Sequence, residues 1–292
     1  MKVLSLFDGI SCGMIALERA EISVNRYVAF EIDKSAIKIS KKNYPQIEHY
    51  GDVITADFTQ YKDFDLLIGG SPCQDLSSMG SHKGLKGEKS KLFFEFVRAL
   101  KEVQPKYFLF ENNASMSKEN QEIISSYLGV QPIFINSSVF SAQNRKRLYW
   151  TNIIDNKYLY LNPNINKVKT NIFLKDIIDK NINRKDITEK VNNYLSINYN
   201  GRKIQKTVKN GIKNLNEKSN CITTNSGSVG ANSCLILKYN EHFYLPTIND
   251  FERLQTLPDN YCIGLSRLQA LKCIGNCWTV DVIAFILRGI KQ

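Results

Sequence analysis

A thiol on a turn, a glycine-rich loop backed by an acid, and two alternating arginines are the side chains here whose types and spacing can do chemistry. Cys73 lies in Gly69-Gly70-Ser71-Pro72-Cys73-Gln74, directly after the apolar run Leu66 to Ile68, so the thiol sits just past a strand tip, where a nucleophile is presented. Pro72 fixes its own φ and disfavours helix at Ser71, which carries Cys73 on a constrained turn. A lone cysteine has a second reading, as a small buried hydrophobe. Phe7-Asp8-Gly9-Ile10-Ser11-Cys12-Gly13 follows the first apolar run and opens a helix, so ligand atoms can approach the backbone and meet free amides at the helix start. Glu31, 22 residues after Gly9, stands where an acid accepts from both hydroxyls of a ribose. The set predicts a nucleoside-bearing cofactor; the spacing is not GxGxxG, so no pyrophosphate is implied, and a tight structural turn is the competing reading. Asp52, in Gly51-Asp52-Val53, suits either an amino-group donor such as adenine N6 or a helix cap. Arg145 and Arg147 alternate, so in an extended segment both face the same side and Lys146 points away, a pattern shared by any solvated basic triplet.

These residues need a scaffold that brings strand tips together. Val3 to Phe7, Tyr27 to Phe30, Leu66 to Ile68, Tyr107 to Phe110 and Ile133 to Ile135 are short apolar runs, separated by helical patterns at Met14 to Arg19, Lys34 to Lys42, Leu92 to Val103 and Asn120 to Leu128. Such alternation predicts βαβ units and a mostly parallel sheet covered by helices on both faces. Past residue 151 asparagine and lysine become dense and periodicity fades through Asn181 to Ser219. Regular structure returns near Tyr244, with Phe251 to Leu257, Leu268 to Cys273 and Val280 to Leu287 reading as helical. We therefore expect a catalytic domain over 1–160, a small basic domain over 161–243 and a return segment over 244–292.

The chain has 292 residues, 43% of them hydrophobic, enough for a full core. No stretch approaches the roughly 18 apolar residues of a membrane span, and the amino terminus meets Asp8 too soon for a signal peptide, so a cytoplasmic protein without membrane association is expected. Seven dispersed cysteines argue against a disulfide framework; Cys262, Cys273 and Cys277 lack a CxxC pair and read as buried thiols, not metal ligands. Of the net charge of +11, residues 151–243 supply +8, with 15 Lys+Arg against 7 Asp+Glu. That suggests a polyanionic partner, most simply nucleic acid, or else a solvated surface insertion. Nothing in the sequence sets an oligomeric state.

Phe7-Asp8-Gly9-x3-Gly13, Glu31, Asp52, Ser71-Pro72-Cys73-Gln74, Phe110-Glu111-Asn112, Gln143-x-Arg145-x-Arg147, Arg253-Leu254-Gln255 and Gly275-Asn276 occur in the order and rough spacing of the cytosine-5 DNA methyltransferase family. The chain resembles that family over nearly its whole length except about 160 to 240. The segment Leu4 to Ile10 and Trp278 after Asn276 look most like the de novo branch known from eukaryotes, without its accessory domains.

The resemblance implies an α/β, Rossmann-like S-adenosylmethionine-dependent methyltransferase fold with a small target-recognition domain. It implies duplex DNA as partner, S-adenosylmethionine as cofactor and no metal. Cys73 would add as thiolate to carbon 6 of a flipped cytosine, making carbon 5 nucleophilic; an ordinary thiol with a pKa of about 8.5 already holds a few per cent thiolate at neutral pH. Glu111 would hold a proton at N3 as charge develops on the ring. Arg147 would contact the carbonyl O2, and Arg145 would orient Glu111 or the flipped base. Phe7, Asp8, Gly9, Ile10, Gly13, Glu31, Ile32, Asp52, Val53, Ser71, Pro72, Asn276, Cys277 and Trp278 would line the cofactor site. Ser77 to Gly87, with three glycines, looks like a loop that closes over the base, or a plain flexible loop. Specificity would sit in Tyr194 to Asn232, where Arg202, Lys203, Lys206 and Lys209 suit phosphates and Thr223 to Ser228 suit base edges. The chain departs from the family at Asn113, where Val is usual, at Tyr244 in place of an Arg, and at Cys277 in place of Ser. Two other readings are a catalytically silent DNA-binding homologue and an RNA cytosine-5 methyltransferase. Whether a restriction endonuclease accompanies the protein is not written in the chain.

Overall fold

The computed structural model describes residues 1–72, 91–153, 170–179, 181–196 and 202–290. The chain forms two compact units, one of residues 1–136, 146–167 and 280–292, the other of 137–145 and 168–279. This division differs from the boundaries expected at 160 and 243. The segment 244–279 belongs to the second unit because its hydrogen-bond partners are there: Tyr244 pairs with Leu237, and Gln255 meets Gln143.

The first unit is built on seven strands, β1 (Lys2–Leu6), β2 (Arg26–Phe30), β3 (Glu48–Tyr50), β4 (Leu66–Gly69), β5 (Tyr107–Asn113), β6 (Ile133–Asn136) and β7 (Lys146–Thr151), in the order β3-β2-β1-β4-β5-β7-β6. Pairing is parallel from β3 to β5, whereas β7 runs antiparallel to both β5 and β6. Val3, Leu4, Leu6, Leu66, Leu67 and Ile68 are fully buried, as expected of strands covered on both faces. Helices α1 (Cys12–Arg19), α2 (Lys34–Asn43), α3 (Lys91–Val103) and α4 (Lys118–Leu128) connect them. Asp33 caps α2 by accepting from the Ser35 amide at 2.8 Å, and Ser117 caps α4, which ends at Gly129 with φ 71°. Phe93, Phe96, Phe110 and Trp150 pack at the centre, with Phe96 and Phe110 ring centroids 4.8 Å apart.

The second unit holds α5 (Leu174–Ile177), α6 (Thr188–Ser196), α7 (Arg202–Gly211), β8 (Ile212–Asn214), β9 (Ile236–Tyr239), β10 (His242–Tyr244), α8 (Ile248–Leu254) and α9 (Arg267–Asn276). Its sheet runs β10-β9-β8, and the β9–β10 turn takes positive φ at both Asn240 and Glu241, as a tight hairpin requires. Ile187, Val191, Val208, Cys234 and Ile236 form a small core beneath α6 and α7, two helices that the faded periodicity of 181–219 did not announce. Elsewhere in this unit Arg184 and Asp250 pair with both side chains fully buried. The chain re-enters the first unit with α10 (Val280–Leu287), packed on α1, where Arg19 meets Asp281 at 2.7 Å.

One apolar stretch runs against expectation. Arg267–Leu287, 21 residues with a hydropathy of 1.6, is long and apolar enough to cross a membrane; 72% of its apolar window is buried within the protein, in α9 and α10.

Candidate active site

Register brings the motifs of the first unit to one edge. Leu6 pairs with both Phe30 and Gly69, and Gly69 pairs with Phe110, so Phe7–Asp8, Glu31, Gly70–Ser71 and Glu111 all emerge at the carboxyl ends of neighbouring parallel strands. The strand order reverses between β1 and β4, the place where open α/β sheets bind ligands. Gly69 is required at this point. A Cβ there would lie 2.8 Å from the Leu6 carbonyl oxygen and 3.1 Å from the Phe96 ring, forcing β1 and β4 apart.

The loop after β1 is sharply turned, with positive φ at Phe7, Gly9 and Ser11. Side chains hold it in that shape. The Gly9 amide donates to Glu31 Oε2 at 2.8 Å, the Asp8 amide donates to the Phe30 carbonyl at 3.1 Å, and Asp8 accepts from Ser11 Oγ at 2.6 Å and from the Tyr27 hydroxyl at 2.7 Å. Burial pushes the Asp8 carboxyl above the usual range, against hydrogen bonds from Ser11, Ser5 and Tyr27 that pull it down. Tyr27, which the sequence did not single out, is raised well above an ordinary phenol by the same burial and by the Asp8 charge. Gly13 is needed because a Cβ would come 2.7 Å from that Tyr27 hydroxyl.

Residues for a nucleoside stand around this loop. Glu31 Oε1 accepts from the Ile32 and Asp33 amides at 2.8 Å, which fixes the carboxylate, while Oε2 accepts from Gly9, and a carboxylate oxygen so placed can also accept from a sugar hydroxyl. Ile32 is 70% exposed and Ile54, beyond Asp52, is 61% exposed, two apolar side chains beside strand tips that a flat heterocycle would cover. Asp52 uses Oδ1 to cap the turn at Ile54, 3.0 Å away, so it serves as the cap that the sequence allowed. Helix α1 has no side-chain cap, which leaves first-turn amides for a bound carboxylate. These groups fit an adenosyl amino acid. Ile10 and Val53 are buried, so any ligand contact they make is through backbone. Ile54 was missed because exposure at a strand tip leaves no trace in sequence spacing.

Two of the side chains expected to act on a substrate ring meet. Glu111 and Arg147 pair at 2.7 Å between Oε1 and Nε, each side chain 12% exposed. Sheet register accounts for the meeting: Asn113 lies opposite Arg147 and Glu111 opposite Tyr149, making Glu111 and Arg147 diagonal neighbours on one face. Buried Asn112 donates to the Ser71 carbonyl at 3.2 Å and to its Oγ at 3.4 Å, tying β5 to the segment that follows β4. Pro72 is the last residue described on that turn; Cys73 and the Ser77 to Gly87 loop lie outside the described residues.

Arg145, expected to orient Glu111 or the flipped base, meets backbone carbonyls among the described residues. It precedes β7, belongs to the second unit, and is buried, donating to the carbonyls of Ile222 at 3.0 Å, Cys277 at 2.9 Å and Gly275 at 3.4 Å. Gln143 and Gln255, 112 positions apart, meet at 3.1 Å in the same unit, a contact no local spacing could announce. Asn276, Cys277 and Trp278 also lie in the second unit; Asn276 is exposed, whereas Cys277 is buried with its thiol directed to the Ile274 carbonyl at 3.2 Å.

A family profile described as C-5 cytosine-specific DNA methylase matches residues 1–292. The orphan methyltransferase M.SPRI of Bacillus phage SPR is 35% identical over 161 residues, 51% of this chain and 37% of that one. The type II methyltransferase M1.ScrFI of Lactococcus lactis subsp. cremoris is 29% identical across 100% of this chain and 78% of its own. Thus the chain spans under two thirds of the phage relative's length and more than two thirds of the lactococcal one. Among solved structures, the S. pombe Dnmt2 methyltransferase superposes with a TM-score of 0.74 at 18% identity, covering 98% of this chain and 97% of the other. The Entamoeba histolytica methyltransferase EhMeth gives 0.76 at 17% identity, covering 100% and 99%. Identities this low speak for the fold.

Proposed function

Since this chain belongs to the C-5 cytosine-specific DNA methylase family, a family of S-adenosylmethionine-dependent DNA (cytosine-5-)-methyltransferases, we propose that it methylates carbon 5 of a cytosine flipped out of duplex DNA, through a covalent bond from Cys73 to carbon 6. The observation that carries this reading is the Glu111–Arg147 pair, 2.7 Å apart at the edge where β4 delivers Ser71 and Pro72, which precede Cys73 in the sequence. In duplex DNA carbon 6 is stacked and out of reach, so extrusion must come first, at a cost of a few kcal/mol.

The Cys73 thiolate then forms the S–C6 bond, and the ring's electrons move toward N3 and O2. Glu111 supplies a proton or a short hydrogen bond at N3, and Arg147, oriented by Glu111, turns its positive charge toward O2. Carbon 5 is thereby enamine-like and nucleophilic. S-adenosylmethionine, when bound, supplies an electrophilic methyl group; Glu31, the Gly9 loop and the exposed Ile32 and Ile54 would hold it. Loss of the carbon-5 proton to water then expels the Cys73 thiolate. Asn112 holds Ser71, two residues before Cys73 in the sequence.

The proposed DNA-contacting element is α7. Lys203, Lys206 and Lys209 are exposed on the arc of that helix opposite its buried Val208. The names of the relatives favour a site-specific modification enzyme working in a bacterial or phage-infected cytosol. Tritium transfer from labelled cofactor to DNA tests the mechanism: wild type incorporates label and Cys73→Ser does not, and equal incorporation by the two would overturn it.

A further inference from the structure

Among the described residues, Arg145 makes its side-chain hydrogen bonds inside the second unit. Its guanidinium gathers the Ile222, Gly275 and Cys277 carbonyls and lies 3.6 Å from the Cys221 thiol, joining the 221–222 segment to the carboxyl end of α9. Gln143 reinforces the same joint. Its Oε1 accepts from the Ile222 amide at 2.9 Å while its Nε2 donates to the Leu254 carbonyl at 3.0 Å, and Gln255 Nε2 donates to the Ile274 carbonyl at 3.0 Å. Gly275 lies so close that a Cβ on it would overlap the backbone of Thr223 and Thr224.

The segment seated there is a turn with two unlike sides. The Thr223 amide donates to Ser226 Oγ at 2.8 Å and the Ser226 amide to the Thr223 carbonyl at 3.1 Å, with Ile222 and Ser226 buried beneath. Asn225 and Ser228 are exposed and Thr224 is half-buried, so an amide and hydroxyls stand outward, the groups that read base edges by hydrogen bonding.

We infer that Arg145 is a positioning residue for target selection: it holds the Thr223–Ser228 turn against the 275–277 backbone, and acts on the reaction only through that turn. This rests on the DNA-methylating reading. A guanidinium is needed because a planar fork of several donors reaches three carbonyls from separate segments, whereas an ammonium is a point charge on a flexible stem.

Arg145→Lys tests this with three readouts. Hydrogen exchange on the protein without DNA should quicken about tenfold at the Ile222, Thr223 and Ser226 amides. On DNA with randomised flanks around cytosine, read by bisulfite sequencing, preference for the wild-type site over single mismatches should fall about tenfold, the worth of one base-pair contact. KM for DNA should rise while kcat at the preferred site stays within about threefold. Arg147→Lys should do the reverse, lowering kcat and keeping the preference. If Arg145→Lys loses kcat while exchange and preference stay as in wild type, Arg145 acts on the reacting atoms and the proposal is overturned. Should that variant not fold, Asn225→Ala, at an exposed position, must lower the same preference, and unchanged preference there overturns it too. A wild type that methylates no DNA would sink the functional reading instead, with hydrogen exchange still deciding the role of Arg145.

Discussion

Glu111 and Arg147 face one another diagonally across an antiparallel pair, and each holds the other in a position suited to a ring bearing N3 and O2 on adjacent atoms. Glu111→Gln keeps the shape and removes the transferable proton. It should lower kcat about 10²–10⁴-fold with unchanged cofactor affinity, as single-turnover methyl transfer and calorimetric titration would show. Asp8 makes a different kind of prediction. Its folded pKa is raised by burial above the unfolded value of 3.8, so the native state holds the proton more tightly. Its contribution to stability is present below that value and is lost as pH rises through the folded pKa. As pH rises above about 4, the fall in melting temperature should therefore be shallower in Asp8→Asn than in wild type; equal slopes would refute the assignment.

Among the elements, α8 depends on a charge pair with no access to water. Arg184 donates from Nε and Nη2 to both oxygens of Asp250, and Asp250 also accepts the Thr247 amide at 2.7 Å, closing the capping box of α8. Arg184→Met should cost about 3–5 kcal/mol in urea unfolding by leaving a buried charge alone. Adding Asp250→Leu should recover only part, because about 1 kcal/mol of cap is lost with it. The elements of the first unit were legible in sequence because strands buried on both faces are unbroken apolar runs and their helices carry a clear 3.6-residue pattern. Helices α6 and α7 were not, since, among the described residues, the only side chains of theirs fully buried in that core are Val191 and Val208, with Tyr194 and Leu195 half-buried beside them, a thin signal among asparagines and lysines. At the site, residue types were legible at Glu31, Glu111 and Arg147. The direction taken by Arg145 was not, because three carbonyl acceptors distant in sequence decide it.

For the molecule as a whole, net charge of +11 sits mainly in the stretch that builds the second unit. If α7 tracks phosphates, replacing Lys203, Lys206 and Lys209 together by Gln should weaken DNA binding about equally for all sequences. It should also flatten the slope of log affinity against log salt by about 2.7, or 0.9 per lysine. Fluorescence anisotropy across a salt series would show this, and an unchanged slope would move the phosphate contacts elsewhere. The division of the chain carries a last consequence. The second unit is not one continuous insert: residues 137–145 are separated from 168–279 by β7, a strand of the first unit's sheet. If the second unit chooses the target, a graft that exchanges 168–279 between relatives would thus import a new specificity module onto an old seat. Hybrids should regain fidelity only when the nine-residue 137–145 stretch travels with it, so that inheritance of target choice is written in two places along the gene.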